Sequence, residues 1–593
     1  MERLRRNRAF VCLASAPASI KEAAEVETTL QAGFSRREEL INHVSHIGGK
    51  YGTFEPNFWR LDGTFMIAPN TNERLTTPLE LGFTGRSLSN HDGFYPGFEP
   101  EIVIRFATPQ NLELVSMVFD MATGEVIDTA RFRVFNPGGA VIFEETIRDN
   151  REMVMATSRG ASNVGRVVIT IFRSATPRRR PRVAEVHFGP VMMFDGEDIL
   201  NVNNLREADA GAKSFPTNRL RVRVLNKGRF SLLDAGGDLS FLKEKLLVEH
   251  TQGIGNGDNW VWMHCGTFFL HSWAVKENYL ELMAYGRSWV LSKSVYRDSS
   301  FMQFSLADIA RHIAADAGVK VEVNRGMEYT PWFPRFMGNV SHKAALNMVA
   351  ELGSYVLHED RFGVLHFLDM TTQDWWNRFV ISEHLDFERM FAAPKVGMKP
   401  YYNGIILKEY FLTLEHSPAM TTAVDVWGAE NITIPFDRPI FSGGRAIASW
   451  GFTLTDVRFS PMHMTARLSG HGRCTIEING HRAVFASGER FFHAPWFSAG
   501  EERQAYVVDL PMFLSNLQFI NYMRNWVVRR KFEMLAKRTF CDVEWRQNPF
   551  VNPADWVNVQ MLVDGRTMTG HVMRQELEFD RGVLRGSSGV IIS

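Results

Sequence analysis

Trp59, Asp62, Asn90, His91, Asp92, Phe94 and Tyr95 are the residues of this chain whose types best suit a ligand. A sugar lays its apolar face on an aromatic ring while carboxylates, amides and imidazoles take its hydroxyls, so this mixture fits a carbohydrate. The same residues also have a purely structural use. Trp59 can plug a core, and Asn90-His91-Asp92-Gly93 is an ordinary turn sequence. Gly253-Ile254-Gly255-Asn256-Gly257-Asp258 has the glycine density of a phosphate loop. No Gly-Lys-Ser/Thr follows it and no helix opens after it, so a turn between strands is expected. His43 and His46 stand three apart with no acidic third ligand at metalloprotease spacing, and read as solvated histidines. His264 and Cys265 are strand neighbours that point to opposite faces, which denies them the hydrogen bond of a nucleophile pair. Glu144-Glu145, Glu359-Asp360 and Glu501-Glu502 read as solvated loop or edge charges. No catalytic residue, metal or cofactor is assigned, and the expectation is a protein that is not an enzyme.

The bulk numbers bound what can position such residues. At 593 residues the chain exceeds one core, and roughly 100–200 residues per domain implies three to five domains. Lys+Arg and Asp+Glu both number 66, so no global field draws in nucleic acid or an anionic membrane. Hydrophobic residues at 45% and charged ones at 22% mark a folded chain. Cys12, Cys265, Cys474 and Cys541 lack any pairing rhythm, which suits a reducing cytoplasm. The basic N-terminus imitates a signal peptide, but Ser15, Pro17 and Ser19 break an apolar run far short of the ~20 residues that span a bilayer. An N-terminal strand or arm is expected instead, with no membrane span.

Periodicity then divides the chain. Glu101–Ala107, Leu114–Asp120, Thr129–Phe135 and Val167–Arg173 are short strands between Gly, Pro and Asn turns, the pattern of an antiparallel sandwich. Arg178-Arg179-Arg180-Pro181-Arg182 closes it and reads as a solvated edge loop. Arg219, Arg221 and Arg223 alternate with Leu220, Val222 and Val224, one polar face and one buried face. Leu306, Ile309, Ala310 and Ile313 fall at helical spacing between Ser305 as N-cap and Gly318 as stop, and a second helix is expected over 342–353. Asn479-Gly480 reads as a hairpin turn, and a helix is expected from Leu514 to about Ala536.

Two stretches resemble known families. Trp59-Arg60-Leu61-Asp62-Gly63-Thr64-Phe65 is similar to the entry of galactose-binding-like jelly-roll domains. Cys541-Asp542-Val543-Glu544-Trp545-Arg546-Gln547-Asn548-Pro549, Asp555-Trp556-Val557 and Gly570-His571-Val572-Met573-Arg574-Gln575-Glu576-Leu577 resemble the closing barrel of bacteriophage tail hub and baseplate proteins. Gly266, Phe268, Leu270 and Trp273 match that family's "G-x-F-x-L-x-x-W" strand, whereas Tyr279–Tyr285 departs from its second pattern at Met283 and Ala284. The resemblance runs over about 183–593.

It implies a mainly β, multidomain chain. The expected units are an arm over 1–53, a galactose-binding-like β-sandwich over 54–182 and a first hub β-barrel over 183–304. A small α/β domain over 305–370 follows, then a second barrel over 371–431 and 507–593 that is interrupted by a β-rich insertion over 432–506. Val543, Trp545, Val557, Val559, Val572 and Leu577 are expected to include its inward-facing residues. The function implied is that of a structural virion protein at the tail hub or tip, located in the virion tail after assembly in the host cytoplasm. A homotrimer is implied, with other tail and baseplate proteins as partners, host glycan as a further one, and DNA met only in passage through the lumen. The alternative is a carbohydrate-active enzyme or glycan-binding tail protein with an appended sugar-binding module.

Overall fold

In the strand Arg219–Leu225 the apolar set Leu220, Val222 and Val224 is buried and the arginines face outward, as the alternation requires. In the computed structural model this strand sits in the middle of a 13-stranded sheet. The structure describes residues 6–14, 20–21, 23–45, 47, 55–56, 80–95, 97–121, 123–226, 242–256, 259–370, 378–381, 390–391, 393–498, 500–512, 514, 520–546, 551–560 and 567–592. Across the sheet the order is Val191–Phe194, Arg6–Ala14, Leu247–Asn256, Asn259–Val275, Tyr279–Tyr285, Arg219–Leu225, Ile199–Glu207, Thr567–Asp580, Val583–Ile592, Thr539–Trp545 and Lys395–Met398. Trp556–Gln560 adds to Thr567–Asp580 and in turn pairs Arg378–Ile381 in parallel.

This one sheet wraps two cores. The first holds Ala9, Val11, Leu13, Val202, Val222, Phe268, Leu282, Leu577 and Phe579; the second holds Cys541, Val543, Trp545, Val557, Val559, Val572 and Val590. Of the six residues expected to face inward, five line the second core and Leu577 lines the first. Strand Arg6–Ala14 approaches Ile199–Glu207 and Val583–Ile592 as well as its hydrogen-bonded neighbours, which rolls the sheet around the first core. Part of the expected arm is therefore barrel wall, buried on both faces because Phe10 packs on Trp262 with ring centroids 4.6 Å apart.

A five-stranded sheet (Ala24–Thr28, Glu101–Leu112, Ala161–Ser174, Ile127–Phe135, Val141–Ile147) faces a four-stranded one (Phe83–Thr84, Arg182–His187, Ser116–Phe119, Val154–Ala156). Ile104, Phe132, Val134 and Ile169 of the first meet Phe83, Met117, Phe119 and Val186 of the second in one core, a β-sandwich. Of its closing arginines only Arg178 is exposed. Arg182 is buried and grips Glu55 at 2.7 and 3.0 Å, Arg180 adds to Glu55 at 3.5 Å, and Arg179 pairs with Glu125 at 2.8 Å. Acidic partners distant in sequence turn a basic run into a clamp on the sandwich edge.

Helices Leu306–Asp316, His342–Gly353 and Ile520–Leu535 share a third core with the sheet Val356–Glu359, Leu365–Leu368 and Val321–Glu322. Ser305 caps the first helix by accepting from Asp308 N at 3.1 Å, and Gly318 follows its end at φ 64°. The root of a long hairpin is seated in the same core through Ile405 and Leu407, beside Tyr506 and Val508 of the strand Ala505–Val508 that pairs with it in parallel. That hairpin pairs Gly404–Pro435 with His463–His493 along their lengths. Its outer part has its own core of Val426, Ile434, Met464, Leu468 and Ile476.

The β-rich segment expected to begin at Ile432 thus starts at Gly404. Pro418 stands within this strand, where the ladder shifts register between Ser417 and Met420 and continues, since a bulge accommodates a residue without an N–H. Asn479-Gly480 lies opposite that bulge, within a strand and not at a turn. A Cβ on Gly480 would stand 2.7 Å from Ile440, so its glycine serves close approach of the strand Ile440–Ala448. Asn548-Pro549 and Asp564-Gly565, turn signals in the sequence, lie outside the described residues.

Cutting the chain after Phe540 removes wall from both barrel cores and is expected to abolish soluble protein, because bare apolar edges aggregate. Leu414 and Ala483 face each other across the hairpin. Excising 415–482 and bridging with Asn-Gly should leave the remainder soluble with an unchanged thermal midpoint. A soluble truncation beside an insoluble excision would reverse this division of labour.

Candidate functional site

Two buried arginines meet a half-buried asparagine where the two barrels adjoin the α/β unit. Arg206 comes from the strand Ile199–Glu207, Arg361 from the turn between Val356–Glu359 and Leu365–Leu368, and Asn552 from the loop entering Trp556–Gln560. Arg206 Nη1 donates to Asn552 Oδ1 at 2.8 Å, and Arg361 donates to the same oxygen through Nε at 3.0 Å and Nη2 at 2.7 Å. Arg361 Nη1 reaches His264 O in the first barrel at 3.0 Å. Burial, together with the neighbouring Arg361, lowers Arg206 to about 10. Asp555 holds the loop by accepting from Asn552 N at 2.7 Å. One amide oxygen thereby ties three units of the fold. Asn552-Pro553 carries only a turn signal and Arg361 lies in a turn, so the one sequence hint of the junction was Arg206, a charge between the strand residues Leu205 and Glu207.

The outward face of the shared sheet carries rows of charge, with Leu200, Tyr279 and Met283 interspersed. Arg219, Arg221 and Arg223 form a basic row, with Arg221 and Arg223 on Glu281 at 2.8 and 2.7 Å. Across the strand Ile199–Glu207, Glu576, Glu578 and Asp580 form an acidic row, where Asn203 donates to Glu576 at 2.9 Å. A shallow groove of ≈ 590 Å³ lies between the rows, with Arg221, Asn203 and Glu578 in its wall. Such a face offers hydrogen bonds of both kinds and no deep apolar pocket, which suits contact with water or another polar surface more than capture of a small molecule.

The candidate sugar-binding loop is divided by the structure. Asn90 Oδ1 accepts from Asp92 N and Phe94 N, both at 2.9 Å, so that oxygen is used in its own turn. Tyr95 is buried in the sandwich core, its hydroxyl donates to Arg179 O at 3.2 Å, and burial raises the phenol. His91 and Asp92 are exposed and 3.2 Å apart. Phe94 is 46% exposed under the guanidinium of Arg173, 5.2 Å from the ring centroid. Arg173 was missed because it lies on the strand Ala161–Ser174, far along the chain. Trp59 and Asp62 lie outside the described residues.

Other residues weighed for chemistry fall as follows. Cys265 sits in the first barrel core, where burial raises its thiol to about 11, while His264 turns to Thr267 at 3.0 Å and stacks on Phe362. Glu359 corrects the expectation of a solvated charge. It is buried, accepts from Arg287 N at 2.9 Å, and burial raises it to about 7. Asp360 caps the adjoining turn by accepting from Phe362 N and Val364 N, both at 2.9 Å. Glu144, Glu501 and Glu502 are exposed, and Glu145 accepts from Ser158 N at 3.0 Å. Gly253 and Gly255 lie within the strand Leu247–Asn256, while 257 and 258 are outside the described residues.

No family model matches the chain, and no curated protein sequence does. Solved structures of tail proteins are similar to it. The 43 kDa tail protein of prophage MuSo2 from Shewanella oneidensis is 12% identical over 68% of this chain and 97% of its own, with a TM-score of 0.36. A tail protein from Neisseria meningitidis MC58 is 9% identical over 66% and 92%, with a TM-score of 0.37. An E. coli component of the type VI secretion system, described as structurally similar to T4 bacteriophage tail proteins gp27 and gp5, is 7% identical over 67% and 74%, at 0.31. Likeness at this level carries no residue role and no partner across to this chain.

Asn552→Ala leaves two buried guanidiniums without their shared acceptor and should cost about 3 kcal/mol, read as a lower urea midpoint. Asn552→Asp keeps an acceptor and adds a charge between two cations, so it should stay near the parent. Equal midpoints for the alanine variant and the parent would remove the junction from the account.

Proposed function

We propose that this chain is a structural component of a bacteriophage or phage-like tail, at the hub or tail tip, where a threefold ring of paired barrels continues the tail tube and supports host-binding parts. The observation that carries the reading is the single sheet threaded through two cores, closed by the C-terminal hairpin. A ring around a bore needs wall segments that do not rock against each other, and shared strands supply that rigidity. The sequence resemblance over 183–593 points the same way. The outward polar face, with basic and acidic rows side by side, suits a wet surface past which DNA moves without being gripped; a chain with 66 residues of each sign has no net field to hold it. No helix among the described residues is long and apolar enough to cross a membrane. Phe411, Leu414 and Trp427 on the long hairpin, and Phe441 and Trp450 on the strand Ile440–Ala448 and the turn after it, are exposed, more apolar surface than a free arm needs, and other tail proteins are the partners proposed for it.

A cylinder of identical chains requires closed rotational symmetry. Mass measurement of the full chain in solution should therefore give three times the 67.6 kDa of one chain. A strictly monomeric mass at high concentration would contradict the ring.

A further inference from the structure

His43 stands just beyond the short helix Arg37–Ile41, while Glu185 and His187 share one face of the last sandwich strand, Arg182–His187. One imidazole nitrogen from each histidine and a carboxylate oxygen of Glu185 lie within 4.8 Å of one another. Glu185 and His187 are both 0% exposed. His43 Nδ1, His187 Nδ1 and Glu185 Oε2 are buried without a hydrogen-bond partner. Orphaned buried polar atoms are costly singly, and each of these three clustered residues carries one.

The other polar atoms of Glu185 and His187 are engaged, which orients their orphans. His187 Nε2 faces Ser45 Oγ at 3.1 Å; Glu185 Oε1 pairs with Lys21 and accepts from His43 N at 2.9 Å. Metal-ligating histidines are held in this way by a contact at the second ring nitrogen. His43 also takes φ 68°, a left-handed conformation that a non-glycine residue keeps only where its surroundings impose it.

We propose that His43, Glu185 and His187 form a divalent-cation site of the zinc class. Two imidazoles and one carboxylate are a donor set for zinc, whereas calcium and magnesium prefer oxygen throughout. Bonds of ~2.1 Å in a tetrahedron put donors roughly 3.4 Å apart, so the side chains close slightly on the ion and leave a fourth position for water. A cleft of ≈ 440 Å³ with Lys21, Asn42 and His43 in its wall supplies the way in. The ion would staple the segment around His43 to the sandwich. Ser45 N, donating to Glu249 Oε2 at 2.9 Å, extends the tie to the first barrel. His43 is thus not a solvated histidine; its partners lie 142 residues away, beyond any local spacing rule.

The test uses the full chain, stripped with a chelator, reloaded with zinc sulfate and freed of excess by gel filtration. Elemental analysis should give about one zinc per chain, and zinc should raise the thermal midpoint. His43→Ala and, separately, Glu185→Gln, which keeps an acceptor for His43 N, should each lower zinc content about tenfold or more and lose the zinc-dependent shift. Cobalt(II) loading should give tetrahedral absorption bands in the parent and none in His43→Ala. A parent chain that retains no zinc, or both variants retaining it at the parent's stoichiometry, would overturn the site.

Discussion

One pair of antiparallel strands, Thr567–Asp580 and Val583–Ile592, belongs to two hydrophobic cores at once. Val572 and Val590 face the second core, while Leu577, Phe579 and Leu584 face the first. Each such side chain contributes about 1.5–3 kcal/mol on burial, so the hairpin is held strongly at both ends. A slip of one residue would turn the whole set to solvent, which makes the register self-enforcing. The strands continue from one core to the other through a bulge between Val572 and Arg574, so the two barrels cannot move apart without breaking a ladder.

The polar junction adds direction to that hydrophobic hold. Asn552 receives Arg206 from 346 residues away and Arg361 from 191 residues away, so its contacts form only when three distant segments have already docked. The N-terminal strand Arg6–Ala14 and the C-terminal hairpin lie in the same sheet. Contacts of such separation are slow to form, and the fold closes only when the last part of the chain arrives. The long hairpin stands apart from this logic: it is rooted in the α/β core but carries a core of its own.

Local physics was legible in the sequence wherever neighbours along the chain decide the outcome. The alternation around Arg221 gave its strand, and Ser305 and Gly318 marked the ends of their helix. Legibility failed where a distant partner decides. Arg182 and Glu359 look like surface charges until Glu55 and Arg287 N are placed against them. Asn479-Gly480 looks like a hairpin turn until the strand opposite, with its bulge between Ser417 and Met420, is placed against it. Of the sugar-binding candidates, Asn90 and Tyr95 serve the loop and core, and the exposed aromatic Phe94 gained a neighbour, Arg173, that no local pattern names.

Hydrogen exchange read by mass spectrometry tests the central claim, that the hairpin makes the two barrels one mechanical unit. Amides of Leu280, Leu282 and Val222 report the first core, and those of Val543, Val557 and Val559 the second. With increasing denaturant the two sets should converge on a single opening free energy and be lost together. Separate openings, with one barrel exchanging fully while the other stays protected, would show that the shared strands do not couple the cores.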